Sequence, residues 1–358
     1  MPKFIPWLEA RPAPSRLMSW LSPVLAVLLT VLCGALLFLA LGQDPLAGLA
    51  VFFVEPLRDL HGWSELGIKV APLLLIAVGL AMCFRANVYN IGAEGQLTLG
   101  AICGGAAALY LDTGDVAHGA WMIAVSLLAG MAGGMAWAAL TAWLRDRFNA
   151  SEILVSLMLV YIAQLLLSYL VYGVLRDPDG FNFPQSKLLS DTLLLPMVLA
   201  DTRLHIGIVF ALLASLGGWL FLSKSISGFR LRVGGMAPAA ARYAGFSSRK
   251  ALWSSMLICG ALSGLAGVCE VLGPMGQLTP TVSPGYGFAA IIVAFVGRLH
   301  PVGVLFSSFV MALFYIGGEL AQSRLGLPSA ITGVFQGILL FALLACDVLI
   351  QYQLRWRK

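Results

Sequence analysis

Charged residues are scarce in this sequence. Asp, Glu, Lys and Arg make up 11% of its 358 residues, whereas a soluble domain carries roughly 25%. Hydrophobic residues reach 59%, and the mean hydropathy is +0.90. This composition excludes an ordinary soluble domain and indicates a protein that resides in a lipid bilayer.

Signatures of several chemistries are also missing. The sequence has no G-x-x-x-x-G-K-[ST] phosphate loop, so any ATP hydrolysis is expected in another chain. Its six cysteines lack C-x-x-C spacing and its four histidines lack ligand spacing, so we predict no metal site. No Ser/His or His/Asp/Glu set has catalytic spacing, which disfavours a membrane enzyme and leaves no catalytic residue to assign. The basic residues occur in short clusters between apolar runs, which argues against nucleic acid as a partner.

Apolar runs of about 17–25 residues predict membrane-crossing helices, since barrel strands would be short and alternating. We therefore predict an all-α polytopic membrane protein, with residues 1–358 as one transmembrane domain. The first run is longer than the apolar region of a signal peptide and is expected to be an uncleaved span. A shorter run, 286–297, follows a Pro- and Gly-rich passage and fits either a half-helix or a crossing. The ten predicted segments are near 20–41, 68–85, 91–111, 118–144, 152–175, 205–223, 251–273, 286–297, 302–320 and 330–350.

The distribution of basic residues predicts the orientation. With the N-terminus in the cytoplasm, most of the 22 Lys and Arg residues fall on the cytoplasmic side. The positive-inside rule favours this arrangement, and an even number of crossings then places both termini in the cytoplasm. Glu270 and Glu319 fall near outer span ends, where we expect them to reach the surface or pair locally. The basic residues assigned to the outer side are Arg58, Lys69, Arg176, Lys187, Arg203 and Arg324.

Two connections on the outer side are long. Segments 42–67 and 176–204 each have room for a short surface helix on which an extracytoplasmic partner docks. An ordinary solvated loop fits both segments equally well.

The stretch from residue 89 to residue 96 places polar groups and glycines between apolar runs. A carboxylate at bilayer depth costs roughly 2–4 kcal/mol, so it normally faces protein or a water-filled path. Two roles remain open for Glu94: it contacts a solute, or it is locked to backbone donors and braces a bent segment, which we favour. Asn90 is the better candidate for solute contact. The residues predicted to form a solute path or a hinge here are Asn90, Gly92, Glu94, Gly95 and Gln96.

A second glycine-broken polar stretch, 273–287, lies in the other half of the chain, as in transporters with related halves. Aromatic residues in spans are more often packing residues than ligand contacts, but a few lie where a ring of a solute would stack. We add Tyr161, Tyr286 and Phe288 to the predicted path on this basis.

The cytoplasmic loop 224–250 predicts a docking surface. Pro238 suits the first turn of a helix, the alanines that follow are strong helix formers, and Gly245 suits a helix end. The pair Gly234-Gly235 reads as a hinge before this short helix. A basic loop that only sets topology is the alternative. The residues predicted to dock on another protein are Gly228, Arg232, Gly235, Pro238, Arg242, Tyr243 and Gly245.

Three segments together resemble a known family. Residues 89–96 resemble the F-N-I-G-A-E-G-Q signature of ABC-importer permeases in the nucleoside and simple-sugar branch. Residues 151–163 are similar to that branch's N-E-V-I-S-T-L-M-L-N-Y-I-A segment. Residues 228–246 resemble its G-x-x-x-R-A-V-G-x-N-P-x-A-A-R-Y-A-G coupling segment. Three residues depart from these patterns at positions where the family has Asn: Ser151, Val160 and Ala237.

The resemblance implies the permease subunit of an ATP-driven importer in a bacterial inner membrane. Its partners would be a second permease chain, a cytoplasmic ATPase that binds ATP and Mg²⁺, and an extracytoplasmic substrate-binding protein. The solute would be a nucleoside or a related small polar molecule, with a simple sugar as the alternative. Loss of the polar group at Val160 weakens the nucleoside assignment. An ion-coupled secondary transporter is a further alternative, disfavoured by the few acids within the spans.

Overall fold

The protein is almost entirely helical. The structure, a computed structural model, describes residues 6–11, 13, 15–112 and 119–356. Short strands β1 (Pro6–Ala10) and β2 (Tyr352–Trp356) flank the helices. The helices are α1 (Arg16–Ala40), α2 (Pro45–Leu49), α3 (Leu60–Arg85), α4 (Ala93–Leu111), α5 (Gly119–Phe148), α6 (Glu152–Tyr172), α7 (Gly207–Lys224), α8 (Ile226–Met236), α9 (Pro238–Tyr243), α10 (Ser248–Glu270), α11 (Tyr286–Val296), α12 (Pro301–Leu325) and α13 (Ile331–Gln351).

Within the described ranges, 8 helices are long and apolar enough to cross a membrane, namely α1, α3, α5, α6, α7, α10, α12 and α13. This confirms the all-α polytopic prediction. α4, with 19 residues, and α11, with 11 residues, correspond to the other two predicted segments. A crossing helix needs about 20 residues, so α11 has the length of a half-helix. α3 begins at Leu60, earlier than predicted, so Lys69 lies about two and a half turns inside the helix rather than at its start.

The described residues up to 63 and from 313 onwards form one compact unit. In this unit α1 packs along α13, and β1 pairs antiparallel with β2, with Pro6 opposite Trp356. Buried phenylalanines fill its interior, and the rings of Phe52 and Phe335 stack with centroids 4.2 Å apart. The strand pairing places residues 6–10 beside residues 352–356. That they lie on the cytoplasmic side stays a prediction.

Residues 64–312 form the second unit, built around α4, α5 and α10. These helices touch backbone to backbone at glycines. A Cβ added at Gly264 would lie 2.3 Å from the carbonyl oxygen of Gly130, and one at Gly134 would lie 2.2 Å from that of Gly260. Small residues allow helices in a bilayer to approach closely, because lipid supplies no hydrophobic force to drive them together. The glycines therefore set the packing of this unit.

The connection between α6 and α7 lies against the passage that leads from α10 to α11. Backbone N–H groups of Ser186, Leu189 and Leu195 donate to carbonyls at Leu278, Gly276 and Leu272, at 2.9, 2.9 and 2.8 Å. The connection holds only one 3₁₀ turn, Asp191–Leu193, so of the two alternatives for 176–204 the structure has the loop. The short helix expected in 42–67 is present as α2.

Candidate functional site

A reciprocal amide pair holds the polar turn, residues 87–96, which joins α3 to α4. Nδ2 of Asn90 donates to Oε1 of Gln96 at 3.1 Å, and Nε2 of Gln96 donates to Oδ1 of Asn90 at 3.2 Å. The same Asn90 oxygen accepts the N–H of Gly92 at 3.0 Å, and Nδ2 also donates to Sγ of Cys259 at 3.2 Å. Asn90 is fully buried. Its amide therefore braces backbone that has no partner within a helix.

Glu94 caps a helix that is distant in sequence. Its buried carboxylate accepts the backbone N–H of Gly287 at 2.6 Å. The hydroxyl of Ser283 and the N–H of Gly285 are further donors to it. α11 begins at Tyr286, and its N-cap residue, Gly285, has no side chain to accept the first N–H groups. Glu94 supplies the missing acceptor from the first turn of α4, where the helix dipole also favours a negative charge.

The two glycine-broken stretches therefore meet at one carboxylate. A Cβ at Gly287 would lie 2.3 Å from the backbone nitrogen of Glu94, so the two helix starts are in direct contact. The contacts agree with the bracing role favoured for Glu94, although its donors lie in the second stretch rather than beside its own glycines. The same contacts give Asn90 a bracing role, so they do not support the preference for Asn90 as the solute contact.

The glycines of the polar turn allow its backbone to lie close to α6. A Cβ at Gly92 would lie 2.8 Å from Cβ of Ser156, and one at Gly95 would lie 3.0 Å from Cα of Val160. Oγ of Ser156 also accepts the N–H of Ile91 at 3.1 Å. Val160, which departs from the family pattern, is thus buried against the signature stretch itself.

The three aromatic candidates lie in different environments. Tyr286 is buried at the start of α11, beside the Glu94 site, and Nζ of Lys69 lies 6.0 Å from its ring centroid. Phe288 is 39% exposed and Tyr161 is 55% exposed. The structure therefore brings Tyr286 together with the polar turn, whereas Tyr161 and Phe288 lie on outward faces of their helices.

A buried polar cluster lies near the N-terminal end of α3 and the C-terminal end of α10. Glu270 is 3% exposed and lies close to Lys69 and Arg203, so of the two alternatives expected for it, reaching the surface is wrong and local pairing agrees with its neighbours. Arg203 also pairs with Glu65 at 3.8 Å. The sequence signal for this cluster was the presence of acidic and basic residues at predicted span ends on the same side of the membrane.

His205 lies beside this cluster, just before α7. It is buried, and its Nδ1 accepts the N–H of Gly207 at 3.1 Å. Its Nε2 has no hydrogen-bond partner in the described part of the chain. Burial lowers the pKa of His205 to about 4, so the imidazole is neutral at neutral pH.

The loop after α7 folds into α8 and α9. Oγ of Ser225 accepts the N–H of Gly228 at 2.9 Å and caps α8. α9 begins at Pro238 and is followed by Gly245 with φ +75°, a left-handed conformation that suits glycine. These boundaries are the predicted ones. Arg242 is exposed, and Tyr243 is 98% exposed.

Gly234 and Gly235 do not form a hinge, because α8 runs through both of them. A Cβ at Gly235 would lie 2.1 Å from the carbonyl oxygen of Arg85, so this glycine lets α8 contact the end of α3. Arg232, half-buried on the same helix, lies near the Arg85 side chain. The structure therefore places Arg232 and Gly235 against the helix bundle and Arg242 and Tyr243 on the open surface.

A groove of about 770 Å³ separates α8 and α9 from the C-terminal end of α5 and the N-terminal end of α10. Basic side chains line it, and the guanidinium of Arg230 lies 5.5 Å from the ring centroid of Phe246. Arg249 of α10 pairs with Asp146 of α5 at 2.7 Å on one side of this groove. Among the described residues, no cluster of three His, Cys, Asp or Glu side chains has metal-binding geometry.

Sequence comparison now decides the family. Residues 64–344 match the family described as the branched-chain amino acid transport system / permease component. The chain belongs to this permease family. The match includes the polar turn, α8, α9 and α11, so every predicted site residue of this permease lies within the matched region.

Curated relatives match the permease over most of its length. A glucose ABC transporter permease protein of Haloferax volcanii is 33% identical over 94% of this chain and 90% of the relative. A guanosine ABC transporter permease protein of Bacillus subtilis is 31% identical over 91% of this chain and 93% of the relative. A nucleoside ABC transporter permease protein of Lactococcus lactis is 27% identical over 90% of this chain and 89% of the relative. No solved structure gives a significant match.

Proposed function

We propose that this chain is the membrane-spanning permease subunit of an ATP-binding-cassette importer. The observation that carries the proposal is the match to ABC transporter permeases over nine-tenths of the chain and of the relatives. The exposed helix α9 supports it, because a permease without its own ATPase needs a surface on which the ATPase docks. ATP and Mg²⁺ would be bound by that ATPase, and this chain would bind no cofactor.

We propose a nucleoside or a related small polar molecule as the solute. The guanosine and nucleoside permeases of two organisms support this choice. The glucose permease supports a simple sugar as the second candidate. Both solutes are neutral and rich in hydroxyl groups, so they make similar demands on a path through the membrane.

Uptake of radiolabelled guanosine and glucose tests the solute. Cells of the source strain lacking this chain are compared with the same cells after the chain is restored. We expect guanosine uptake to disappear and to return on restoration, with glucose uptake unchanged. Loss of glucose uptake alone would move the assignment to the sugar, and no change in either would contradict both.

The proposed assembly has three partners. Bacillus subtilis has a second guanosine ABC transporter permease protein, which is 29% identical over 71% of this chain, so two related chains carry that name in one organism. This supports a heterodimer of this chain with a second permease. The other partners would be the cytoplasmic ATPase and an extracytoplasmic binding protein, and the location would be the bacterial inner membrane, with α8 and α9 on its cytoplasmic side.

Charge reversal on α9 tests the ATPase contact. We expect Arg242→Glu to lose co-purification with the ATPase, because Arg242 is exposed on α9 and away from the bundle. Arg147→Glu, which reverses an exposed charge at the inner end of α5, is the matched control and should keep the ATPase. Equal ATPase recovery from the two variants, at matched membrane levels, would argue that α9 is not the contact.

A further inference from the structure

The outward face of α6 carries a line of polar side chains. Tyr161, Gln164, Ser168 and Tyr172 recur every three or four residues and fall within an arc of about 80°. Tyr161 is 55% exposed and Tyr172 61% exposed, Gln164 is exposed, and Ser168 is half-buried. We call these four residues the polar stripe.

The polar stripe crosses the depth of a bilayer. α6 has 21 residues and is therefore about 31 Å long. Gln164 lies about 18 Å from its inner end, near the centre of a hydrocarbon core of about 30 Å. An interfacial position explains Tyr172, because tyrosines favour the membrane surface. It does not explain an amide at mid-depth.

The polar groups of the stripe are unsatisfied within the protein. None of the four side chains hydrogen-bonds another residue in the part of the chain that the structure describes. Hydroxyls elsewhere in the spans find acceptors: Oγ of Ser126 donates to Met122 O at 2.9 Å, and Oγ of Ser307 donates to Val293 O at 2.7 Å. An exposed amide without a partner is unfavourable in lipid, which offers no donor or acceptor.

The outward face of α7 provides a contrast in the same unit. Before the exposed Lys224 at its end, its exposed large side chains are all apolar, as contact with lipid requires: Val209, Leu212, Leu213, Leu216 and Leu220. The free face of α6 also has exposed apolar residues, namely Leu154, Met158, Ile162 and Leu165. Helix α6 therefore differs from α7 in carrying polar side chains among the apolar ones on its free face.

We propose that the polar stripe of α6 lines the water-filled passage through which the solute crosses the membrane, with Gln164 as the contact at mid-depth. This inference rests on the proposed permease function and names residues that would carry it. The tyrosine rings offer flat surfaces on which a base or a sugar ring stacks. The amide and hydroxyl groups pair with hydroxyl groups or base edges, and the stripe carries no charge, which suits a neutral solute.

The opposite face of α6 connects the stripe to the polar turn. Ser156 and Val160 lie against Gly92 and Gly95, and Oγ of Ser156 accepts the N–H of Ile91. A shift of the turn braced by Asn90 and Glu94 would therefore move α6 and its stripe together. One face of α6 contacts the braced turn, and the opposite face carries the polar stripe. The residues that hold the path in place are therefore different from those that would touch the solute.

Water access to introduced cysteines tests the passage. Gln164→Cys and Ser168→Cys are made in the full chain, in membranes that contain the assembled transporter, and treated with a charged, membrane-impermeant thiol reagent. Thiols react as thiolates, which need water. We expect labelling roughly tenfold faster than at Leu213→Cys on the lipid-type face of α7, after subtraction of the signal from the natural cysteines.

A labelling rate equal to that of Leu213→Cys would overturn the proposal, because the stripe would then face lipid or a dry contact with the second permease. This readout needs no solute, so it remains valid even where guanosine and glucose uptake fail as tests of the proposed function. It therefore distinguishes a wrong passage from a wrong solute.

Transport by a second set of variants tests contact with the solute. Gln164→Leu removes the amide while keeping side-chain size, and at equal membrane levels we expect it to raise the KM for uptake roughly tenfold or more. Gln164→Asn keeps an amide and should recover part of the loss. Leu213→Ala is the control and should transport normally. Unchanged uptake by Gln164→Leu would contradict a role of Gln164 in the path.

Discussion

At the scale of single residues, the polar groups in the signature stretch work on the backbone. Asn90 makes hydrogen bonds to Gln96, Gly92 and Cys259, and Glu94 accepts from the start of α11. A buried donor or acceptor without a partner costs about 1–3 kcal/mol of stability. Breaking any of these hydrogen bonds would therefore destabilise the folded protein. Glu94 is tolerated in an apolar segment because its carboxylate caps the start of α11.

Substitution at these two positions separates bracing from solute contact. We expect Asn90→Ala and Glu94→Gln each to destabilise the protein by about 1–3 kcal/mol, because buried backbone groups lose their partners or the charge at a helix start is removed. Thermal unfolding in detergent measures this effect beside uptake at matched membrane levels. Ser126→Ala, which removes a hydroxyl bonded only to its own helix, is the control. Uptake lost at unchanged stability would instead show solute contact.

Because the imidazole of His205 is buried, we expect the folded protein to lose stability in acid. Burial lowers its pKa to about 4 from 6.5 in the unfolded chain. Between these values the unfolded chain takes up a proton and the folded protein does not, so stability is complete above pH 6.5 and falls as pH decreases. We expect about 2 kcal/mol of stability to be lost from pH 7.5 to pH 5, measured as a fall in Tm.

Two histidine substitutions check this assignment. His205→Gln should show a smaller fall in Tm between pH 7.5 and pH 5 than the unchanged protein. His61→Gln, at an exposed position, should keep the original pH dependence. If His205→Gln keeps it too, other groups cause the acid sensitivity.

At the scale of elements, helix α8 contacts the end of α3 through a glycine. Gly235 lies against the carbonyl of Arg85 at that end, and the polar turn follows directly after it. In the proposed assembly, α8 would therefore pass a displacement from α9 to the turn. Backbone contact transmits such a displacement better than flexible side chains do, since packed interfaces do not deform continuously.

The adjacent glycines of α8 provide a matched pair of variants. We expect Gly235→Ala to destabilise the protein by about 1–3 kcal/mol, because its Cβ would lie 2.1 Å from a backbone oxygen. Gly234→Ala meets nothing within 4 Å and should be neutral or stabilising, since alanine is the better helix former. Thermal unfolding and ATP-driven uptake measure the two. Equal Tm values and equal uptake for the two variants would contradict the contact between Gly235 and Arg85.

At the scale of the whole molecule, the fold serves a subunit of an assembly. The described chain has a braced polar turn and a polar face on α6, and in the proposed assembly a second permease, an ATPase and lipid would cover its free surfaces. The paired strands β1 and β2 keep the two ends of the chain together. The membrane orientation can therefore be measured with a reporter at the N-terminus or at the C-terminus.

Reporter fusions test the orientation. We expect a fluorescent protein fused to the C-terminus to fluoresce and alkaline phosphatase fused there to be inactive, because basic residues concentrate on the predicted cytoplasmic side. Fusions at the N-terminus should behave in the same way. Active phosphatase at the C-terminus would reverse the orientation and place α8 and α9 on the wrong side for an ATPase.

Much of the fold followed from sequence because its physical cause is local. Apolar runs specify spans, Pro238 and Gly245 delimit α9, and the short run after a glycine-rich passage became the half-helix α11. Failures arose where distant segments decide the outcome. The supposed Gly234-Gly235 hinge lies within α8, where Gly235 contacts the end of α3, and Glu270 is buried beside Lys69 and Arg203 instead of reaching the surface.

The sequence by itself determined the class of the protein, its family and the position of its polar stretch, because composition and short motifs are readable without contacts. Only the tertiary structure decided the partners of that stretch. Glu94 and Gly287 are far apart in the chain, and no local pattern requires them to meet. Their contact exists because helix starts buried in an apolar interior must find acceptors wherever packing supplies them.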